Sequence, residues 1–138
     1  MSDRQYERIE TPESLISALR ELLGDRLSTA ASVLEQHGKD ESWHEASPPD
    51  AVVFANSTEE VAEVVKLCAA HDVPIVPFGT GSSLEGHVAA LRGGICIDVS
   101  QMNQILEVNN EDLDCRVQAG VTREQLNDYL CDTGLFFP

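Results

Sequence analysis

Lysine is scarce in this sequence. Of nine basic residues only Lys39 and Lys66 are lysines, and twenty-four acids bring the formal net charge to −15. A field of that sign repels phosphate, which excludes nucleic acid and anionic membrane as general partners. A phosphate group bound here is therefore held by local backbone amides and not by a basic surface. Long apolar runs are also missing, so no transmembrane helix is expected, and the polar start Met1-Ser2-Asp3-Arg4 is not that of a signal peptide. The expected location is cytoplasmic. The four cysteines, Cys68, Cys96, Cys115 and Cys131, form no CxxC pair and read as reduced, mostly buried thiols. Cys68 and His71 share a helical face but have no second ligand pair, so no metal site is expected.

What is present is the length of one domain, 138 residues, with 42% hydrophobic and 24% charged residues, a globular balance. Thr11-Pro12-Glu13 opens a helix carrying Leu15, Ile16, Leu19, Leu22 and Leu23, stopped by Gly24. A second helix is predicted over Leu27–Gln36, ended by Gly38. Residues 37–50 are polar and bounded by prolines, which predicts a loop separating a helical arm (1–48) from the main body (49–138). His37, His44 and His71 are expected on surface or loop positions.

Ala51–Ala55 and Pro74–Phe78 read as strands around a helix capped by Ser57 and Glu60, a βαβ unit with parallel strands. Ile95–Val99 is a third strand. Ile105–Val108 and Cys115–Ala119 predict an antiparallel pair, and Thr122 with Gln125 caps a last helix bearing Leu126, Tyr129 and Leu130. The apolar Leu135-Phe136-Phe137 resembles the start of another element. The fold is thus expected to be a truncated α+β unit, with self-association through the face left open.

Between the second and third strands lies Gly79-Thr80-Gly81-Ser82-Ser83-Leu84-Glu85-Gly86-His87. Glycines after a strand let successive N–H groups face an anion, and three to five such bonds, at roughly 1.5–3 kcal/mol each, would hold a pyrophosphate. The dinucleotide pattern G-x-G-x-x-G fails at Leu84. The Walker pattern fails at His87-Val88, where lysine and a hydroxyl residue are required, and this disfavours an NTPase. On the glycines alone, a plain surface loop and an anion site both remain open.

The stretch Pro77–His87 resembles the flavin-diphosphate loop of the PCMH-type (vanillyl-alcohol oxidase) FAD-binding domain. Pro49-Asp50-Ala51-Val52-Val53, Gly93-Gly94-Ile95-x-Ile97-Asp98 and Gln118-Ala119-Gly120-Val121-Thr122 stand in the matching order. His37-Gly38-Lys39-Asp40-Glu41-Ser42 and Met102-Asn103 are similar to the D-lactate dehydrogenase and glycolate oxidase branch. The resemblance covers about Leu15 to Pro138.

That resemblance implies a PCMH-type first subdomain in which Gly79, Thr80, Gly81, Ser82, Ser83, Gly86 and His87 line the FAD diphosphate. Pro77 and Phe78 would approach the adenosine side, and Gly120 would bring a turn near the cofactor. It implies non-covalent FAD, although His87 is near the position of covalent attachment in other branches. It further implies a full-length enzyme that oxidises a D-2-hydroxy acid such as D-lactate, passes electrons to an acceptor and, in that form, can lie peripherally at a membrane's inner face. No residue present reads as the catalytic acid or base. The rival reading is a non-catalytic nucleotide-binding module or truncated remnant.

Overall fold

The computed structural model describes residues 6–138; the polar start at Met1–Arg4 lies outside the described residues. Helix α1 (Glu13–Leu23) ends at Gly24, whose φ of 58° suits a residue without a Cβ, and a 3-10 turn (Gly24–Arg26) redirects the chain. The predicted second helix starts later than its pattern suggested. Leu27–Ser28 is strand β1, antiparallel to β2 (Ala51–Phe54), with Leu27 opposite Val53, and α2 covers only Ala31–His37. Burial explains the difference: Leu27 joins the core from the sheet edge, where its backbone finds partners on β2.

Helix α3 (Thr58–Ala70) is capped by Ser57, whose hydroxyl accepts from the Glu60 N–H. It leads to β3 (Ile75–Phe78) and, after a long connection, β4 (Ile95–Asp98). The sheet order is β1-β2-β4-β3. The two strands of the βαβ unit run parallel as expected, but β4 lies between them and pairs with both. Phe54, Asp98 and Phe78 stand at one level, so the carboxyl ends of three parallel strands meet there. Beyond them, β5 (Ile105–Asn109) and β6 (Asp114–Val117) form the expected antiparallel pair, and α4 (Arg123–Leu130) follows.

One core holds these parts together. Leu15, Ile16, Leu19 and Leu23 of α1 pack with Val64 and Cys68 of α3 over Ala51, Val53, Ile95 and Ile97. The arm and the sheet thus share one apolar interior. Two of the four thiols, Cys68 and Cys96, are buried, and burial pushes them up to about 11 and about 12; Cys115 and Cys131 are exposed, against the expectation of mostly buried thiols.

Arg26 also ties the arm to α3. Its guanidinium meets both Glu60 carboxylate oxygens and donates to the Phe54 carbonyl, while Glu60 also accepts from the Asn56 N–H. The hydrogen bond from Arg26 holds Glu60 at about 2, well below its ordinary value. A depressed carboxyl stabilises the fold above its unfolded value, about 4.3, and that stability is lost as the pH falls towards about 2. Glu60→Gln should melt lower than wild type at pH 7, and the two melting temperatures should converge between pH 5 and pH 2.5. Thermal melts across that range check it; a gap independent of pH would contradict it.

Candidate functional site

The glycine-rich segment leaves β3 at Phe78, where the carboxyl ends of the parallel strands meet, the usual place for a ligand in an open parallel sheet. Among the described residues, no protein acceptor meets the N–H groups of Gly79, Thr80, Gly81, Ser82 or Ser83. These five donors, and that of Leu84 after them, are thus left for solvent or a ligand. The two donors that follow Leu84 are already used. Glu85 N–H donates to the Ser83 hydroxyl (3.1 Å), and Gly86 N–H donates to Asp40 Oδ2 (2.9 Å).

The side chains divide in the same way. Thr80 and Ser82 share a hydrogen bond of 2.8 Å and are exposed. The Ser83 hydroxyl is engaged by Glu85 and shares a 3.1 Å contact with His87 Nδ1, on an exposed ring. Pro77 is exposed on β3, and Phe78 is half-buried beneath the loop.

The glycines do different jobs. A Cβ on Gly79 would meet nothing within 4 Å, so the fold itself leaves that position open. Gly81 has a φ of 69°, and a Cβ there would lie 2.7 Å from the Phe78 ring. Gly120 is required by packing, because a Cβ would fall 2.1 Å from the Val99 carbonyl oxygen. That tight turn brings Gly120 to the same cavity as Gly79, Thr80 and Ser82.

This cavity measures about 610 Å³ and is completed by Ser100, Asn103 and the amino end of α4, Thr122 to Gln125. Thr122 caps α4 by accepting from Gln125 N–H, and the Gln125 side chain donates to the Asn103 carbonyl. The amino end of α4 carries partial positive charge, and Arg123 adds a full one beside Glu124. The other side of the loop, at Gly81, faces Glu35, Asp40 and Glu41 with Lys39. An anion is therefore favoured on the α4 side.

Sequence reasoning missed what lies beneath the loop. His37 was expected on a surface or loop position; it is buried at the end of α2. Its Nδ1–H donates to the Val33 carbonyl, and its Nε2 shares a hydrogen bond with Asp98 Oδ2, each at 2.8 Å, so both ring nitrogens have a partner. Asp98 Oδ1 accepts from Ser100 N–H, and the imidazole lies against Phe54 and Phe78. The expectation placed His37 wrongly because a histidine at the start of a polar run gives no sign of a buried acid sixty residues away. His44 is exposed and His71 half-buried, its Nδ1 donating to the Leu67 carbonyl.

Residues 49–138 match the family model described as FAD binding domain. The chain is 50% identical over 127 residues to a protein of Danio rerio named probable D-lactate dehydrogenase, mitochondrial, a match covering 91% of this chain and 26% of that protein. It is 44% identical over 131 residues to an Arabidopsis thaliana protein named D-lactate dehydrogenase (cytochrome), mitochondrial, covering 94% and 23%. Among solved structures, p-cresol methylhydroxylase with substrate bound superposes with a TM-score of 0.79 at 31% identity, over 89% of this chain and 25% of that one. The chain spans about a quarter of the length of these curated relatives.

Two substitutions separate open space from packing. Gly79→Val should leave the melting temperature within about 2 °C of wild type, as surface changes away from special features do. Gly120→Ala should destabilise by about 1–3 kcal/mol through overpacking against backbone. His37→Leu, which removes the buried partner of Asp98 Oδ2, should cost about 3–5 kcal/mol. Denaturant titrations of the three variants check the order; a Gly79→Val variant as damaged as Gly120→Ala would contradict it.

Proposed function

The chain belongs to the FAD-binding domain family, with the PCMH-type fold its glycine-rich loop resembles, and we propose that the N–H groups of Gly79–Ser83 hold the FAD diphosphate. The observation that carries this reading is the run of five donors without protein acceptors, set against a cavity that Gly79 leaves open. Charge-assisted hydrogen bonds are roughly twice as strong as neutral ones, which suits a −15 chain that has no basic patch to offer. The cavity on the α4 side, lined by Asn103, Gly120 and Thr122, would receive the diphosphate. Gly86 and His87 form the anchored end of the loop, and Pro77 and Phe78 flank the adenosine side.

Bound FAD supplies a two-electron acceptor for oxidation of a 2-hydroxy acid. We assign to the complete enzyme the oxidation of a D-2-hydroxy acid, D-lactate in the first instance, with electrons passing on to an acceptor. The names of the Danio and Arabidopsis relatives support that substrate. This chain's own part is to bind and orient the cofactor; no side chain at the cavity is assigned the substrate's proton. In this reading FAD is held without a covalent bond, as the resemblance to the D-lactate branch implies. Acid precipitation of the flavin-loaded protein tests that: free flavin in the supernatant is expected, and flavin in the pellet would overturn it.

Location and self-association complete the reading. Among the described residues no helix is long and apolar enough to cross a membrane. The cytoplasmic location stays a proposal that cell fractionation tests against the mitochondrial names of the relatives. Self-association is supported by the exposed Phe136 and Phe137, which border an apolar cleft of about 540 Å³ between the hairpin and α4.

The diphosphate assignment is tested by titrating FAD into wild type and Gly79→Val. The variant should keep its fold and bind FAD at least about tenfold more weakly, the loss of roughly one charge-assisted bond. Gly81→Val is the poorer probe, because its φ and the Phe78 ring strain the fold itself. Equal FAD affinity in wild type and Gly79→Val would overturn the assignment.

A further inference from the structure

We propose that the segment from His37 to Ser42 is a strap that sets the diphosphate loop in its binding shape before the cofactor arrives, with Asp40 and His37 as positioning residues. The proposal rests on the reading of Gly79–Ser83 as the diphosphate site. Three contacts carry it, spaced along the loop. At the first, the His37 ring lies 4.4 Å from the Phe78 ring, centroid to centroid, and Phe78 in turn fills the space beside Gly81. At the second, Glu41 N–H donates to the Ser83 carbonyl oxygen (3.0 Å). At the third, Asp40 Oδ2 accepts from Gly86 N–H (2.9 Å).

Each contact uses a group that is not one of the five open donors. The strap thus fixes the loop through its carbonyl at Ser83, its far amide at Gly86 and its underside at Phe78, and leaves Gly79–Ser83 N–H free. Its own residues are anchored in turn. His37 is held by Val33 and Asp98, and Asp40 Oδ1 accepts from both the N–H and the hydroxyl of Ser42. The Ser42 hydroxyl keeps the Asp40 carboxyl below its ordinary value, so the acceptor stays ionised.

A need for such a strap follows from the sequence of the loop. Three glycines and three hydroxyl residues from Gly79 to Gly86 have many alternatives to one conformation, and ordering each residue costs conformational entropy. A loop already ordered by the protein spares the cofactor that cost on binding. The Asp40 carboxylate has a second effect. It places negative charge on the Gly81 side, together with Glu35 and Glu41, and so leaves the α4 side as the one where a diphosphate is accepted.

The test compares wild type, Gly79→Val, Asp40→Ala and Asp40→Asn by calorimetric titration with FAD and with ADP, which shares the diphosphate but has no flavin. Asp40→Ala should raise the Kd for FAD and for ADP about tenfold, by the same factor. Asp40→Asn keeps one oxygen for Gly86 N–H and should recover to within about threefold of wild type, a rescue that a loss of general stability would not produce. If Asp40→Ala does not fold, Ser42→Ala, which removes the anchor of the carboxylate and leaves the carboxylate itself, is read by the same criterion. A folded Asp40→Ala that binds FAD within twofold of wild type, while Gly79→Val has lost it, overturns the strap and leaves the diphosphate site standing. An Asp40→Ala that loses FAD but binds ADP normally overturns it as well. If Gly79→Val binds FAD normally, it is the assignment of the loop that fails, and the strap falls with it.

Discussion

A chain with this excess of acid can hold a diphosphate only where its own side chains are kept away from the anion. In the proposed site that constraint is met with backbone. Among the described residues, the N–H groups of Gly79–Ser83 meet no protein acceptor at the end of a parallel strand, and the acids of the neighbouring segment are gathered on the opposite side of the loop. Removing a diphosphate from water is costly unless its oxygens are met by donors, and peptide N–H groups meet them without adding flexible charge. The rest of the molecule can be understood as the means of presenting those donors. The sheet register brings Phe54, Asp98 and Phe78 to one level, the core of α1 and α3 fixes the sheet, and the Gly120 turn carries α4 to the far wall.

The buried pair beneath the loop is costly, and its geometry shows how the fold tolerates it. Both nitrogens of His37 and both oxygens of Asp98 have partners, so neither member is left with an unmet polar atom. Apolar residues of the same volume would pack there at less desolvation cost. What the polar pair adds is direction: hydrogen bonds at 2.8 Å fix the ring plane on which Phe78 rests, whereas apolar contacts alone would permit several packings.

Much of this was legible in the sequence. Helices with strong caps and clear periodicity, such as α3 after Ser57, were placed within a residue or two, and the strands around them followed from short apolar runs. The glycine-rich loop was found because glycine and hydroxyl residues after a strand have a physical use. The errors fell where long-range contacts override local pattern. Leu27 fits a helical period, but its side chain is needed in the core and its backbone at the sheet edge. His37 and Asp40 lie in a polar, proline-bounded run that reads as solvated loop, yet both are buried, because their partners come from Asp98 and Gly86 far along the chain. No local periodicity encodes a contact of that kind. In the sequence the motif from His37 to Ser42 marks a family resemblance and by itself gives no sign of contact with the loop. An acid in that run, near a loop rich in unpaired amides, was the available signal.

If the amides of Gly79–Ser83 hold the diphosphate, their chemical shifts report it one residue at a time. A proton–nitrogen NMR titration of the isotopically labelled chain with FAD should move the resonances of Gly79, Thr80, Gly81, Ser82 and Ser83 strongly downfield, as new charge-assisted hydrogen bonds form. Glu85 and Gly86, whose donors are already engaged by Ser83 and Asp40, should move little. Saturable shifts centred on Glu85 and Gly86, or on residues away from the loop while Gly79–Ser83 stay in place, would contradict the account.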